Sequence, residues 1–186
     1  MADASPVIRS ANPLPDSAFT ARHRLMVLAA DAVDVIASAG GLLFDRVGAG
    51  WDVQVYLDEP DTGSGARALQ ILGIKTCMPS PQFDPARWPD FLLVGADLYR
   101  RNIFVRRLFG TAARRSRTEV AIWGGDWPTE LERGIGPVQH RLSTAALAFK
   151  AHALRAVDLT PDVSGAEYFR NGKRRFDIAA AMLPPA

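Results

Sequence analysis

Acidic residues follow four of the five short apolar runs in this sequence. They end the segments LAAD, VYLDE, VGAD and WGGD, and a further acid, Asp34, stands three positions after the first of them. When such runs are parallel strands, their carboxyl ends lie at one edge of the sheet, so we expect these side chains to border one crevice. The candidate ligand-binding residues are Asp31, Asp34, Asp58, Asp97 and Asp126, with Glu59 beside the third.

Carboxylates that meet in one crevice can perform two kinds of chemistry. They bind a hard cation such as Mg²⁺, or they accept hydrogen bonds from ribose hydroxyls. Acids in these positions are also ordinary N-caps of the helices that follow the strands, and that alternative stays open.

The apolar runs that precede the acids predict an α/β protein. They occupy residues 24–30, 52–57, 73–77, 90–96 and 119–124, and they are apolar throughout, as strands buried on both faces of a sheet are. Helical periodicity predicts crossover helices over residues 33–47 and 102–115 and a long helix from Pro137 to residue 157. The expected fold is a Rossmann-like three-layer sandwich with a mainly parallel sheet of about five strands, centred on Val27, Val55, Leu93 and Ile122.

The length of 186 residues, with 48% hydrophobic and 23% charged side chains, suits one α/β domain over residues 21–157. Residues 1–20 are expected to form a flexible leader, and residues 158–186 an extension that packs on the domain or is mobile. The N-terminus lacks the pattern of a signal peptide, Cys77 is the only cysteine, and no apolar run reaches the roughly 20 residues of a membrane span. We therefore expect a cytoplasmic protein.

Motifs of the familiar enzyme classes are missing from the sequence. There is no G-x-G-x-x-G, no P-loop and no G-x-S-x-G elbow. The segment DTGSGA, residues 61–66, is either an anion-binding loop or an ordinary Gly/Ser loop. The sequence therefore predicts no catalytic residue.

The segment AADAVDVIASAGGLLFDRVGAGWDVQVYL, followed by ILGIK, resembles the opening of LmbE-like (PIG-L) zinc-dependent deacetylases over about the first quarter of the chain. That resemblance implies a Rossmann-like fold. It also implies a His-Pro-Asp-Asp-Glu motif after the first strand, with zinc ligands and a general base, which would fall on residues 31–35. Asp34 alone matches the motif: Asp31 stands at the position of the histidine, and Ala32, Val33 and Val35 stand at the other three positions. The whole chain also resembles members of an uncharacterised actinobacterial protein family, which brings no known activity.

The histidines do not complete a zinc site at the sequence level. Catalytic zinc needs about three protein ligands and an open position. His23 precedes the first strand, and His140 and His152 fall in one predicted helix, where twelve residues correspond to about 18 Å. The sequence therefore predicts no metal site and no cofactor. If the acids did bind a cation, Mg²⁺ would be the one that suits them.

Arginine supplies most of the positive charge: of 22 basic residues only three are lysines, and the net charge is +2. On the predicted helix at 102–115, Arg106, Arg107 and Arg114 face away from the apolar side, and Arg100 lies just ahead of the helix. These four arginines are the partner-binding candidates. An acidic protein is the expected partner. Nucleic acid is the least favoured partner, a membrane is not expected, and a homo-oligomer stays open.

Two functions are compatible with these observations. The first interpretation is a non-catalytic Rossmann-like module with a regulatory or protein-interaction role. The alternative is a small-molecule- or nucleotide-binding protein, or an enzyme, that uses the acidic crevice at the carboxyl ends of the strands.

Overall fold

Five parallel strands form the centre of the protein. The computed structural model describes residues 22–59, 61, 63–77, 88–115, 117–125, 135–161, 164–172 and 182–183. The parallel strands are β1 (Arg24–Ala29), β2 (Asp52–Leu57), β3 (Lys75–Cys77), β4 (Phe91–Gly95) and β5 (Glu119–Trp123). They lie side by side in the order β3-β2-β1-β4-β5. The five predicted strands are confirmed, each within two residues of its expected ends.

Three further strands make the sheet larger than expected and mixed in direction. They are β6 (Ile135–Arg141), β7 (Ala166–Gly172) and β8 (Met182–Leu183). Strand β7 lies antiparallel to both β5 and β6, and β8 pairs antiparallel with β6. The described sheet therefore has eight strands in the order β3-β2-β1-β4-β5-β7-β6-β8.

Five helices are present in the described residues and cover both faces of the sheet. They are α1 (Ala32–Gly48), α2 (Ser64–Ile71), α3 (Ala96–Arg101), α4 (Ile103–Arg114) and α5 (Thr144–Ala156). Side chains of α1, α2 and α5 share a core with Leu25, Val27 and Ala29 of β1, whereas α3 and α4 share a second core with Met26 and Leu28. Because alternate residues of a strand point to opposite faces, these two cores make the three layers of an α/β sandwich.

The predicted centre of the sheet is confirmed. Val27, Val55 and Leu93 are fully buried and Ile122 is 1% exposed. No helix among the described residues has the length and apolar character needed to cross a membrane.

The prediction of a long helix from Pro137 is wrong for the first part of that segment. Residues Ile135–Arg141 form β6 instead, because β7 offers them a complete antiparallel partner that the sequence patterns did not predict. The helix α5 begins only after Ser143, whose hydroxyl accepts a 3.0 Å hydrogen bond from the Ala146 N–H. His140 and His152 therefore lie on different elements.

An ion pair inside the protein joins α1, α5 and β7. Lys150 Nζ donates to Glu167 Oε1 over 2.8 Å, and both residues are at most 4% exposed. The same carboxylate accepts from the N–H groups of Gly41 and Leu42 in α1, each over 2.8 Å. Gly41 permits this approach, since a Cβ there would overlap the side chain of Leu142 and lie 3.2 Å from Glu167 Oε1. The close packing of α1 against Leu142 and β7 therefore depends on the glycine at this position.

Candidate functional site

The strand order places a switch point between β1 and β4. From β1 the chain continues to β2 and β3 on one side, and then returns to form β4 and β5 on the other side. In open α/β sheets, ligands bind in the crevice outside the carboxyl ends of the two strands at such a point. The residues that follow β1 and β4 are therefore the candidate ligand-binding residues.

Asp34, in the first turn of α1, projects into this switch point. Its Oδ2 accepts a 3.0 Å hydrogen bond from the indole Nε1 of Trp123, the last residue of β5. Its Oδ1 accepts from the Ser38 hydroxyl over 3.1 Å, one turn further along α1. A carboxylate has about four lone-pair positions, so these two bonds orient the group and leave acceptor capacity for a ligand.

Gly95, the last residue of β4, leaves room for the Asp34 side chain. A Cβ at this position would lie 3.2 Å from Asp34 Oδ2 and 3.1 Å from Trp123 Cζ2. Both distances are tighter than nearly all real Cβ contacts. The ends of β1, β4 and β5 thus meet around one carboxyl group.

The surroundings of Asp34 favour its protonated form. Desolvation is the largest cause, and it raises the pKa of the half-buried carboxyl above its ordinary value. The hydrogen bonds from Trp123 and Ser38 lower the pKa, and the negative charges of Asp31 and Asp97 raise it. A raised pKa in a cleft is typical of groups that transfer protons.

Among the described residues, the other acids predicted for the crevice do not form one cluster, and each has different partners. Asp31 is the N-cap of α1, and its Oδ1 accepts from the Asp34 N–H over 2.9 Å. Asp97 is exposed in the first turn of α3, close enough to act on the charge of Asp34. Asp58 and Glu59 follow β2 and face a guanidinium, that of Arg101. Asp126 lies outside the described residues.

The arginines predicted for partner binding separate into two groups. Arg100 is at the crevice, where its Nη2 donates to Asp97 Oδ1 over 2.8 Å. Arg106, Arg107 and Arg114 are exposed on α4. The sequence analysis did not single out Arg101, whose Nη2 lies 3.2 Å from Asp58 Oδ2 and so links the segment after β4 to the segment after β2.

Two partners of Asp34 also escaped the sequence analysis. Ser38 could have been found, because residues four apart share one face of a helix. Trp123 could not, because 89 positions separate it from Asp34.

In the candidate anion-binding loop DTGSGA, the carboxylate of Asp61 takes the place that a bound anion would have. Asp61 Oδ1 accepts from the Gly63 N–H over 2.7 Å, and the same carboxylate lies against Gly65 in the first turn of α2. A negative group thus already stands where a phosphate would approach this helix, which favours the ordinary-loop interpretation.

The zinc that the LmbE-like resemblance implies does not fit the described residues. They contain no group of three or more His, Cys, Asp or Glu side chains that could hold a metal ion. All three histidines lie in other places: His23 is 3.6 Å from Asp90, His140 is 2.8 Å from Asp45, and His152 is exposed on α5. Furthermore, an N–H of Trp123 points at the one carboxylate that matches the motif.

The fold matches solved structures of enzymes at low sequence identity. A deacetylase of teicoplanin biosynthesis, solved with teicoplanin, has a TM-score of 0.56 and 13% identity, over 83% of this chain and 99% of that chain. An A40926 pseudoaglycone deacetylase has a TM-score of 0.53 and 15% identity, over 81% and 96%. The 4-carboxy-2-hydroxymuconate hydratase of Pseudomonas putida has a TM-score of 0.52 and 12% identity, over 83% and 98%.

Sequence comparisons add nothing to these structural matches: no family model and no curated protein sequence matches the chain. At such identities the likeness is one of fold, and it agrees with the resemblance to LmbE-like deacetylases. It also corrects the first interpretation of the sequence. A non-catalytic regulatory or protein-interaction module is contradicted, because the solved structures that match this fold include several deacetylases and a hydratase.

Proposed function

We propose that this chain binds a polar small molecule at the switch point between β1 and β4 and transfers a proton to or from it through Asp34. The observation that carries the proposal is the state of the Asp34 carboxyl, which is half-buried, oriented by Trp123 and Ser38, and raised in pKa. General acid–base catalysis requires such a group within hydrogen-bond reach of the ligand.

Each partner of Asp34 has a definite part in this chemistry. The Trp123 N–H stabilises the ionised form, whereas burial and the neighbouring acids stabilise the protonated form. Desolvation outweighs the hydrogen bonds, so the pKa is raised and the two forms come closer in free energy towards neutral pH. This lets one group both accept and release a proton. Ser38, being a hydroxyl on the same helix, holds the other carboxyl oxygen in place.

The ligand we favour carries hydroxyl or carbonyl groups and no phosphate. Asp34 offers hydrogen-bond acceptors to hydroxyls, as acids do for ribose in dinucleotide-binding folds. At two of the helix starts near this edge a phosphate is disfavoured, because Asp31 caps α1 and Asp61 occupies the start of α2. The N-termini of α1 and α2 are thus already paired with carboxylates.

The first experiment measures the pKa of Asp34 directly, by carbon-detected NMR of the side-chain carboxyl during a pH titration. We expect a midpoint above the ordinary range of a carboxyl group. An Asp34 midpoint in the ordinary carboxyl range would contradict the proposal.

The second experiment tests proton transfer with simple probes, p-nitrophenyl acetate for ester hydrolysis and fumarate for hydration of a double bond. Asp34→Asn keeps the shape of the side chain and removes the titration. Loss of the proton-transfer group costs about 10²–10⁴ in rate. Asp58→Asn is the matched control, and equal rates in the two variants would exclude Asp34 from the reaction.

A further inference from the structure

The guanidinium of Arg100 lies beside the candidate site, over the backbone that follows β5. A Cβ on Gly125 would be 3.0 Å from Arg100 Nη1 and 3.3 Å from the Ala96 Cβ. Gly125 comes two residues after Trp123, the donor to Asp34, and Ala96 comes directly after β4. The positive group therefore stands at the same two strand ends that surround Asp34.

Glycine at this turn lets the guanidinium of Arg100 lie close to the backbone. Gly124 has a φ of 78°, a conformation that other residues rarely adopt. At Gly125 a Cβ would lie 3.0 Å from Arg100 Nη1, so the guanidinium would have to shift to admit a side chain. The turn thus allows the cation to rest against backbone.

Asp97 orients Arg100 without using up its donors. The pair forms one hydrogen bond, from Nη2 to Asp97 Oδ1 over 2.8 Å, and the Arg100 side chain stays 58% exposed. A guanidinium has five N–H donors in a planar fork. Within the described part of the chain, Asp97 is the one side chain that accepts from it, so a bidentate edge remains for a ligand.

We propose that Arg100 binds a carboxylate of the ligand whose reacting part contacts Asp34, so that the substrate is a small carboxylic acid. This inference deepens the proposed function and rests on the same site. Arg101, the neighbouring arginine, is less suited to the task, because it already faces the two carboxylates of Asp58 and Glu59.

A carboxylate fits this position better than a phosphate. The edge of the sheet carries several acids, among them Asp31, Asp34 and Asp97, so a dianion would meet strong repulsion. One fork of Arg100 can neutralise a single negative charge in a bidentate pair.

The test uses the full chain and measures ligand-induced shifts in thermal midpoint, followed by calorimetric titration. The probes are acetate, lactate, succinate and malate, each beside its neutral amide, together with inorganic phosphate at the same ionic strength. We expect at least one carboxylate to raise the midpoint and bind, while its amide does not.

Three variants assign that binding. Arg100→Gln is expected to weaken it at least about tenfold, the size of one lost charge-assisted hydrogen bond. Arg100→Lys keeps the charge without the planar fork of donors, so its affinity for the carboxylate is expected to lie between those of the native chain and Arg100→Gln. Arg107→Gln, an exposed arginine on α4, is the matched control and should bind as the native chain does.

The inference is overturned if no carboxylate binds, if Arg100→Gln and Arg107→Gln bind equally, or if phosphate alone depends on Arg100. Its failure is distinguishable from that of the proposed function. Carboxylate binding that depends on Arg100 would survive even if the Asp34 pKa proved ordinary, and a raised Asp34 pKa would survive the loss of carboxylate binding.

Discussion

The indole Nε1 of Trp123 donates to Oδ2 of Asp34 over 3.0 Å, and this bond joins the end of β5 to the start of α1. Strand β5 and strand β1, which leads into α1, are not neighbours in the sheet, because β4 lies between them. The bond therefore spans the carboxyl edge of β4, above Gly95, which has no side chain to obstruct it. It is the contact that turns three separate strand ends into one site.

Trp123→Phe removes that donor and keeps an aromatic ring in the core. Because the indole hydrogen bond lowers the pKa of Asp34, the variant is expected to raise this pKa further. It should also lose about 1–3 kcal/mol of stability, as expected when a hydrogen bond to a charged group is removed. NMR titration and chemical unfolding measure the two effects. Trp51→Phe, at a half-buried tryptophan whose ring lies tilted against that of His23, is the control and should leave the Asp34 pKa unchanged.

Asp34→Asn is expected to change how stability depends on pH. A carboxyl whose pKa is raised by folding binds more protons in the native state, so native stability falls as pH rises from about 4 through the folded pKa. Asparagine cannot titrate. The stability of the variant minus that of the native chain should therefore increase over this range and then stay constant. Urea unfolding at a series of pH values gives the difference, and a difference that does not vary with pH would contradict the raised pKa.

The sequence predicted the parallel half of the fold well, because its signals are local. Strand β2 is confirmed at its exact bounds. The helix predicted from residue 102 is α4, and Asn102 is its N-cap, accepting from the N–H groups of Phe104 and Val105. The antiparallel half was missed. Residues Ala166–Gly172 alternate buried and exposed positions, but the buried ones include Glu167 and Asn171, polar residues that hide the strand pattern.

The candidate site was predictable only in its position along the chain. Asp31, Asp58 and Asp97 follow their strands as expected, and the bonds of Asp31 and Asp97 are local, to residues three positions away. The contacts that define the site are long-range: Asp58 pairs with Arg101, and Asp34 accepts from Trp123. Arg101 pairs with acids more than forty positions away, and periodicity cannot show such a pair. The sequence therefore located the edge of the sheet and could not identify Asp34 with Trp123 as its centre.

Gly41→Ala tests the close packing of α1 against β7. Alanine favours a helix by up to about 1 kcal/mol over glycine, but here its Cβ would overlap Leu142 and crowd the Glu167 carboxylate. We expect a net loss of about 1–3 kcal/mol, the usual cost of overpacking. Gly48→Ala is the matched control at the end of the same helix, where a Cβ meets nothing within 4 Å, and it should be neutral or stabilising. Equal unfolding midpoints for both variants would show that Gly41 is not constrained.

Lys150→Met is expected to be among the most damaging single changes in the core. Burial raises the pKa of Glu167 in spite of the opposing charge of Lys150, and without that charge the pKa should rise further. Breaking a buried pair on one side costs about 3–5 kcal/mol. The loss should be smaller at pH 5 than at pH 8, because a protonated Glu167 is less costly to bury. The double variant with Glu167→Gln should recover part of the stability, and no recovery would argue against an ionised pair.

The last prediction concerns zinc. Asp31 stands where the LmbE-like motif has its histidine, and its Oδ1 is bonded to the Asp34 N–H. Asp34 accepts the Trp123 N–H on one oxygen and the Ser38 hydroxyl on the other. With two carboxylates and no histidine at this junction, the donor set suits oxygen-preferring cations better than catalytic zinc. We expect the purified chain to contain no stoichiometric zinc by elemental analysis and to release no acetate from N-acetylglucosaminyl substrates. About one zinc per chain, lost together with deacetylation in Asp34→Ala, would overturn this and make Asp34 a metal ligand instead of the proton-transfer group proposed here.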